Sequence, residues 1–293
     1  MNIKYEQDYV NLLSNILNSH NEAIRNNRTA SKTIMSFGKS ITVDLKKGNA
    51  FPILCGRKMF SKTFFTELKW FIEGETNIKR FQDAGIKIWD KWADTRGELG
   101  PVYGFQLRKW GGMRHKHTFD QLNHIMYNLK YNPLSRRHVV TLWDPDDIDD
   151  MVLPPCYHTF TFCVVNNTLN VDVSMRSSDV FVGLPYDIAL FATMLHLMCQ
   201  SLELKPGKVK MNLTDAHIYW ANMKEVSEYL NTAEELLEHR RSQKQVLKRA
   251  GRNKPPKLII NSRDVNIYNF TPALDLSIQD YTPEKNIKVD VVE

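Results

Sequence analysis

Two short extended runs on either side of an asparagine pair constrain the fold of this chain more than any other feature. Residues 158–165 and 168–175 are rich in β-branched and aromatic side chains, and Asn166-Asn167 between them suits the turn of a β-hairpin. A long apolar run with helical character follows at residues 187–203. A hairpin followed by an apolar helix predicts a fold that mixes strands and helices.

Helical and extended segments alternate along the rest of the chain. Helices are predicted from the first residues to a polar loop at 26–29 and over residues 61–73, 119–131 and 221–230, and strands over 34–45, 137–143 and 209–213. Gly74 closes the second of these helices, and Asn132-Pro133 stops the third. No internal repeat or low-complexity linker divides the sequence, so we predict one α/β (α+β) domain over residues 1–293.

The net charge of +6 comes from one segment and is not a property of the whole chain. Residues 238–257 hold eight cations against the single acid Glu238, so the remainder of the chain is slightly acidic. We interpret residues 232–254 as a basic helical insertion that ends at Pro255-Pro256. A solvated helical face is one explanation and nucleic-acid binding is another, although no interleaved aromatic residue is present to stack on bases.

Cysteine usage and hydropathy indicate a reducing, aqueous compartment. Cys55, Cys156, Cys163 and Cys199 form no CxxC pair and have no even spacing, which argues against a disulfide framework or a zinc site. No apolar run reaches the roughly 18 to 20 residues that span a bilayer, and the first nine residues lack the apolar core of a signal peptide. We therefore expect a cytoplasmic protein with no metal and no membrane contact.

Cys156 and Arg176 are the two residues whose chemistry and position best indicate a reactive site. Cys156 precedes the first strand of the predicted hairpin and Arg176 follows the second, so the two residues can approach each other in space. A nearby cation favours the thiolate, the nucleophilic form of cysteine, whereas a free cysteine is otherwise often a small buried hydrophobe. Pro154-Pro155 stiffen the backbone that carries the thiol.

Several arginines are candidates for holding an anion such as phosphate, because the guanidinium fork fits paired oxygens. They are Arg28, Arg136, Arg137 and Arg176, and Ser177 adds a hydroxyl beside the last of them. For Arg136 and Arg137 a solvated pair after a turn is the competing explanation, since exposed charges are common.

Most of these residues belong to seven short sequence motifs and one arginine pair, given below in their order along the chain. They are Glu67-Leu68-Lys69-Trp70-Phe71, Ile88-Trp89-Asp90-Lys91-Trp92, Gly100-Pro101-Val102-Tyr103-Gly104, Arg136-Arg137 after Ser135, Leu153-Pro154-Pro155-Cys156, Met175-Arg176-Ser177-Ser178-Asp179, Gly183-Leu184-Pro185-Tyr186-Asp187 and Asp215-Ala216-His217-Ile218-Tyr219. In this order the chain resembles the thymidylate synthase family from about Arg28 to its C-terminus, apart from the basic insertion. The family includes relatives that hydroxymethylate deoxycytidylate.

The resemblance implies the family fold, a large mixed β-sheet covered by helices, with the sheets of two subunits packed back to back in a homodimer. It implies that Cys156 adds to C6 of a pyrimidine nucleotide and that 5,10-methylenetetrahydrofolate donates the one-carbon unit to C5. The implied catalytic set is Cys156, Glu67, Asp187, Tyr103 and Arg176. A nucleotide-synthesising assembly is a further partner that the basic insertion could contact.

Two sets of binding residues follow from the same resemblance. The nucleotide set is Arg28, Arg176, Ser177, Ser178, Asp179, Asp187, His217 and Tyr219, together with Arg136 and Arg137 reaching across from the other subunit. The folate set is Ile88, Trp89, Trp92, Leu153, Asp179, Val182, Gly183, Tyr186 and Val292, with Arg57 where the glutamate tail of the folate emerges.

Asp187 departs from the family pattern in a way that bears on the substrate. Members that methylate deoxyuridylate place asparagine there, and an amide matches the N3 donor and O4 acceptor of uracil. Cytosine offers the reverse pattern, which a protonated carboxyl matches by donating to N3 and accepting from the 4-amino group. Burial would have to raise the pKa of this carboxyl. The competing explanation is that Asp187 caps a helix that begins at Ile188, but asparagine would cap equally well.

The fate of the carbon at C5 depends on whether water is excluded from the site. Hydride from tetrahydrofolate would give a methyl group and water a hydroxymethyl group. The C-terminal run Val289–Glu293 carries an additional carboxylate, and Tyr157 replaces the histidine usual after the nucleophile. Both changes can reposition water, whereas the retained Trp89 and Trp92 leave hydride transfer possible. The leading expectation is a deoxycytidylate hydroxymethyltransferase. A deoxycytidylate methyltransferase is the nearest alternative, and an ordinary thymidylate synthase the next.

Overall fold

The computed structural model describes residues 2–18, 24–26, 31–46, 50–111, 117–242, 254–289 and 291–292. Its helices are α1 (Ile3–Asn18), α2 (Ser61–Glu73), α3 (Lys79–Asp83), α4 (Tyr103–Arg108), α5 (Gln121–Tyr131), α6 (Leu184–Leu202), α7 (Met223–Ser242) and α8 (Pro272–Asp275), with 3-10 turns at Ile148–Asp150 and Trp220–Asn222. Its strands are β1 (Ile24–Arg25), β2 (Thr33–Asp44), β3 (Val139–Thr141), β4 (Tyr157–Val165), β5 (Thr168–Met175), β6 (Ser178–Asp179), β7 (Lys205–Tyr219), β8 (Lys257–Ile260) and β9 (Leu276–Gln279).

One mixed sheet forms the centre of the fold, which confirms the predicted α/β class. In the described residues its strand order is β1-β2-β7-β5-β4-β3, with the short β6 also paired to β7. The β5 and β7 strands run parallel, and helix α6 makes the crossover between them and packs against both. The other pairs along this order are antiparallel, and β8 and β9 form a separate two-stranded sheet.

The predicted hairpin is confirmed as β4 and β5. Val165 pairs with Thr168, so the turn consists of Asn166 and Asn167, whose φ angles are +49° and +58°. Two consecutive left-handed residues match the twist of the flanking strands, and asparagine tolerates this region better than most residues. At the open end of the hairpin Tyr157 pairs with Met175, which places the residues on either side of these two next to each other.

A largely apolar helix buries one face of the sheet. In α6 the side chains from Ile188 to Leu195 are buried, as the apolar run predicts. Along β5, buried Val171, Val173 and Met175 alternate with half-buried polar residues, so the sheet turns one face to the core. Of the helices in the described ranges, none combines the length and the apolar character needed to cross a membrane.

Several predicted boundaries are wrong, including that of the strand predicted over 209–213, which extends across Lys205–Tyr219 as β7. The first helix ends at Asn18, because its apolar spacing stops at Leu17, and Ile24–Arg25 instead adds a short strand to β2. The strand predicted over 137–143 is limited to the three residues of β3. The helix predicted over 221–230 continues to Ser242, so the part of the basic insertion that the structure describes is the end of α7; residues 243–253 lie outside the described ranges.

The left-handed turn predicts a clear response to substitution. Replacing Asn167 by valine should lower the free energy of unfolding by about 1 to 2 kcal/mol, because a β-branched residue is strained at positive φ. Urea denaturation followed by circular dichroism measures the change. Asn167→Gly is the matched control and should be neutral or stabilising. Equal destabilisation by valine and glycine would contradict this account of the turn.

Candidate active site

A cavity of about 780 Å³ opens between the end of the hairpin, helix α2, the start of α6 and the C-terminal segment. Most of the residues predicted from the sequence line it. They are Arg57, Glu67, Ile88, Trp89, Trp92, Tyr103, Leu153, Cys156, Arg176, Ser177, Ser178, Asp179, Val182, Gly183, Tyr186, Asp187, His217, Tyr219 and Val292. Residues more than two hundred positions apart in the sequence thus line the same cavity.

Backbone pairing at the open end of the hairpin brings Cys156 and Arg176 together. The Arg176 amide donates to the Cys156 carbonyl at 2.9 Å, which continues the β4–β5 ladder by one residue. The Arg176 guanidinium donates to the carbonyls of Pro155 at 3.1 Å and Pro154 at 2.7 Å. The arginine therefore holds the proline-stiffened backbone that carries the thiol, while its positive charge stays beside the cavity.

Tyr103, the first residue of α4, contacts the backbone of the same cysteine. Its hydroxyl accepts a hydrogen bond from the Cys156 amide at 2.9 Å. The ring lies 4.6 Å from that of Tyr157, centroid to centroid, in the cavity wall. Burial raises the pKa of Tyr103 well above its ordinary value, so this phenol stays protonated and can donate in turn to a bound molecule.

Three carboxyl groups share the interior of the cavity. Burial raises the pKa of Glu67 from 4.5 to about 7. Burial also raises the pKa of Asp187 well above its usual range, and the negative charges of Glu67 and Asp179 add to that rise. The pKa of Asp179 rises through burial as well, although the amides of Val182 and Phe181 donate to its carboxylate and oppose the change. Like charges in one desolvated space favour the protonated form.

Asp187 lies inside helix α6 and is not its N-cap. The helix begins at Leu184, three residues before the aspartate, and the Asp187 amide donates to the Gly183 carbonyl at 3.1 Å. The predicted start at Ile188 is therefore wrong, because Pro185 is accommodated in the first turn of the helix. Helix capping is thus excluded as the explanation for Asp187.

The wall around Trp89 contains a polar group that lacks a protein acceptor. Trp89 packs edge-on against Trp92 and Tyr103, and its indole nitrogen is buried without an acceptor at hydrogen-bond geometry in the described part of the chain. The indole N–H faces Glu67 and lowers the pKa of that carboxyl, but less than burial raises it. The adjoining Tyr186 ring packs edge-on against Phe64.

The opposite wall comes from β7, where alternate residues point to one face. His217 Nδ1 donates at 3.0 Å to the Asp215 carboxylate, and the His217 ring lies edge-on to Tyr219, with ring centroids 5.1 Å apart. Arg25 reaches the same carboxylate at 2.9 Å and lines the cavity. The His217 hydrogen bond, more than the Arg25 charge, holds the pKa of Asp215 below its usual value.

Some cavity residues were absent from the sequence-based site. Asp215 could have been found from its spacing, because residues 215, 217 and 219 alternate on one strand. Arg25 carries no such signal, since only the pairing of β1 with β2 and of β2 with β7 brings it there. Residues 286–289 also line the cavity, and the Lys91 ammonium contacts the Val291 carbonyl at 3.4 Å. The predicted carboxylates at Asp290 and Glu293 lie outside the described residues.

Of the predicted phosphate arginines that the structure describes, only Arg176 lines this cavity. Arg28 lies outside the described residues. Arg136 and Arg137 are exposed before β3, and Arg137 lines a separate hollow of about 370 Å³ with residues of α5. Within the described ranges no cluster of three or more His, Cys, Asp or Glu side chains is arranged to hold a metal ion.

Comparison with models of known protein families identifies one family that matches this chain. A family model described as thymidylate synthase matches residues 7–293, nearly the whole chain. The matched span contains every cavity residue from Arg25 to Val292.

The raised pKa of Glu67 predicts a pH dependence of stability. Its folded pKa of about 7 exceeds its ordinary value of 4.5, so stability is lost as pH rises between these values. We compare the free energy of unfolding of the wild type with that of Glu67→Gln. The difference should fall by about 2 kcal/mol across that window and stay level above it, a smaller change than the full pKa shift implies because solvent in the cavity screens the charge. Urea unfolding of both proteins from pH 4 to 9 measures the difference. A pH-independent difference would contradict the assignment.

Proposed function

Since this chain belongs to the thymidylate synthase family, we propose that it is a deoxycytidylate 5-hydroxymethyltransferase. Members of the family transfer a one-carbon unit from methylenetetrahydrofolate to C5 of a pyrimidine nucleotide. The proposed reaction is dCMP plus 5,10-methylenetetrahydrofolate plus water to 5-hydroxymethyl-dCMP plus tetrahydrofolate. The observation that carries the choice of base is the Asp187 carboxyl, which faces the cavity beside two other carboxyl groups.

Cys156 is the proposed nucleophile. Its thiolate adds to C6 of the pyrimidine, which makes C5 nucleophilic toward the methylene carbon of the folate. Arg176 supports this step by fixing the backbone of Pro154 and Pro155 and by keeping a positive charge near the thiol. The Tyr103 hydroxyl, held against the Cys156 amide, also sets the position of the same residue.

We propose that the protonated carboxyl group of Asp187 recognises cytosine. A carboxyl group that keeps its proton donates to N3 and accepts from the 4-amino group, whereas uracil presents the opposite pattern. Proton donation to N3 also lets the ring accept electrons as Cys156 adds to C6. The neighbouring carboxyls support this role, because ionising Asp187 beside Glu67 and Asp179 would place like charges in one desolvated space.

The remaining ligand contacts are proposed from the same cavity. Arg176, Ser177, Ser178, His217 and Tyr219 surround the space for the sugar and phosphate, and Arg28 would complete it. The folate would pack against Ile88, Trp89, Trp92, Leu153, Val182, Gly183 and Tyr186, beneath the C-terminal segment that includes Val292. The Trp89 indole N–H, which faces Glu67 without reaching hydrogen-bond geometry, is suited to donate to an acceptor on that ligand.

Loss of the C5 proton to a base, with cleavage of the bond between the methylene carbon and the folate nitrogen, releases tetrahydrofolate and leaves an exocyclic methylene group at C5 of the base. Water adds to this carbon in the proposed reaction, and the Cys156 thiolate then leaves C6. Glu67, with a pKa of about 7, is suited to take a proton from that water near neutral pH. Hydride addition from tetrahydrofolate to the same carbon would give the methyl product and dihydrofolate instead.

The substrate assignment predicts a reversal when Asp187 becomes asparagine. The wild-type protein should convert dCMP far faster than dUMP, and Asp187→Asn should lower the dCMP-to-dUMP ratio of kcat/KM by about a thousandfold, since the base edge would meet mismatched donors and acceptors. Each nucleotide is incubated with methylenetetrahydrofolate, and the products are identified by mass spectrometry. Asp83→Asn, a carboxyl-to-amide change on the surface of α3, is the control.

The same assay distinguishes the alternatives. A mass gain that corresponds to methyl, together with the absorbance of dihydrofolate, would identify a deoxycytidylate methyltransferase. Faster turnover of dUMP by the wild-type protein would identify a thymidylate synthase and contradict the role given to Asp187.

We also propose that the active form is a homodimer in which the phosphate arginines are exchanged. Arg136 and Arg137 are exposed on their own chain and lie outside its cavity, so a symmetric partner is the means by which they reach a phosphate. The half-buried polar residues that alternate with the core along β5 and β7 leave a second sheet face available for such a partner.

Exchange of arginines predicts complementation between inactive variants. Cys156→Ser and the double variant Arg136→Ala/Arg137→Ala should each be inactive, but an equimolar mixture refolded together should recover about a quarter of the wild-type activity, because half of the dimers contain one intact site. Turnover after mixing measures the recovery. Each variant refolded alone is the control, and a mixture as inactive as its components would contradict the exchange.

A further inference from the structure

Arg57 is a buried cation that forms no salt bridge in the described part of the chain, although its charge lowers the pKa of Asp179. Only 3% of the residue is exposed, and its guanidinium lies 4.6 Å over the Phe181 ring and donates to the Phe181 carbonyl at 2.5 Å. Its Nε atom is buried without a hydrogen-bond acceptor, although the residue lines the cavity. Buried charges are normally paired, so this arrangement points to an anionic group on a ligand.

The turn that carries Arg57 is held by the Glu6 carboxylate of helix α1. Glu6, in α1, is fully buried and accepts from the Cys55 amide at 2.7 Å and from the Gly56 amide at 3.0 Å. The Tyr229 hydroxyl, in α7, donates to the same carboxylate at 2.7 Å. Three donors from two separate segments therefore converge on one side chain, immediately before Arg57.

Close packing leaves this turn little freedom once the three donors are engaged. A Cβ atom at Gly56 would lie 2.8 Å from the Tyr229 ring and 3.0 Å from the Glu6 carboxylate. Tyr229 also packs edge-on against Phe181, with ring centroids 6.1 Å apart, so the two groups that flank Arg57 belong to one cluster. Moving Glu6 would consequently move the guanidinium relative to the cavity.

We propose that Glu6 is a positioning residue for the folate site, acting through the turn at residues 55–57 to aim Arg57 at the anionic tail of the folate. This inference rests on the proposed function for the identity of the ligand. The carboxylate of Glu6 does not touch the ligand, and its effect passes through the Cys55 and Gly56 amides. Helix α7 contributes Tyr229, whose hydroxyl binds Glu6. This contact connects α7, which contains the start of the basic insertion, to the turn at residues 55–57.

The test compares two ligands that differ only in the glutamate tail. Binding of tetrahydrofolate and tetrahydropteroate is measured by quenching of tryptophan fluorescence, since Trp89 and Trp92 line the cavity. Glu6→Gln should weaken tetrahydrofolate about tenfold and change tetrahydropteroate less than about twofold, because only the former carries the carboxylates that Arg57 would bind. Amide hydrogen exchange should show faster exchange at Cys55 and Gly56 in the same variant.

Three further variants make the result decisive. In an Arg57→Met background, Glu6→Gln should cause no additional loss of tetrahydrofolate affinity, because the two residues act in series. Tyr229→Phe, which keeps both amide contacts to Glu6, should weaken tetrahydrofolate about threefold and serves if Glu6→Gln does not fold. Tyr5→Phe is the matched control: its hydroxyl is buried beside Glu6 without a partner, and its loss should leave both affinities unchanged.

Equal weakening of the two ligands, or a loss that persists in the Arg57→Met background, would overturn the positioning role. Unchanged tetrahydrofolate affinity despite faster amide exchange in Glu6→Gln would overturn it as well. Failure of the wild-type protein to bind tetrahydrofolate would instead contradict the proposed function, and this inference with it. The two failures are therefore distinguishable.

Discussion

The candidate site depends on the backbone pairing that closes the open end of one β-hairpin. The hydrogen bond from the Arg176 amide to the Cys156 carbonyl continues the β4–β5 ladder beyond its last regular pair. Because the ladder sets the register, the thiol and the guanidinium cannot shift past each other without breaking several hydrogen bonds. The arginine side chain and the Tyr103 hydroxyl then hold the cysteine backbone from two further directions.

The grouping of three half-buried carboxyl groups in one cavity is the second constraint on the site. Glu67, Asp179 and Asp187 come from α2, β6 and α6, and burial shifts the pKa of each in the same direction. The raised pKa of Asp187 supports a protonated carboxyl for the proposed recognition of cytosine, and the pKa of about 7 suits Glu67 to accept a proton from water in the proposed reaction. A single structural feature thus supports two parts of the proposed chemistry.

The folate wall is supported from outside the cavity by a network of buried polar residues. Glu6, Tyr229 and the amides of Cys55 and Gly56 connect α1 and α7 to the turn that carries Arg57. Such a network is costly unless every member is satisfied, and here each carboxylate oxygen of Glu6 has a donor. Among the buried polar atoms without a hydrogen-bond partner in the described residues, Arg57 Nε and the Trp89 indole nitrogen belong to residues that line the cavity, where a ligand can bind them.

The sequence by itself determined the local elements and the family. The Asn166-Asn167 turn, the helix that ends before Gly74 and the apolar helix α6 follow from short-range preferences, so they could be read from neighbouring residues. Ordered motifs likewise identified most of the cavity residues, because each motif is contiguous. The tertiary structure alone decided that Asp187 lies near Glu67, that Arg25 reaches the cavity, and that Glu6 holds the Arg57 turn. These facts depend on contacts between residues 49 to 223 positions apart, and the free energy of such contacts comes from burial, which the chain acquires only when it folds.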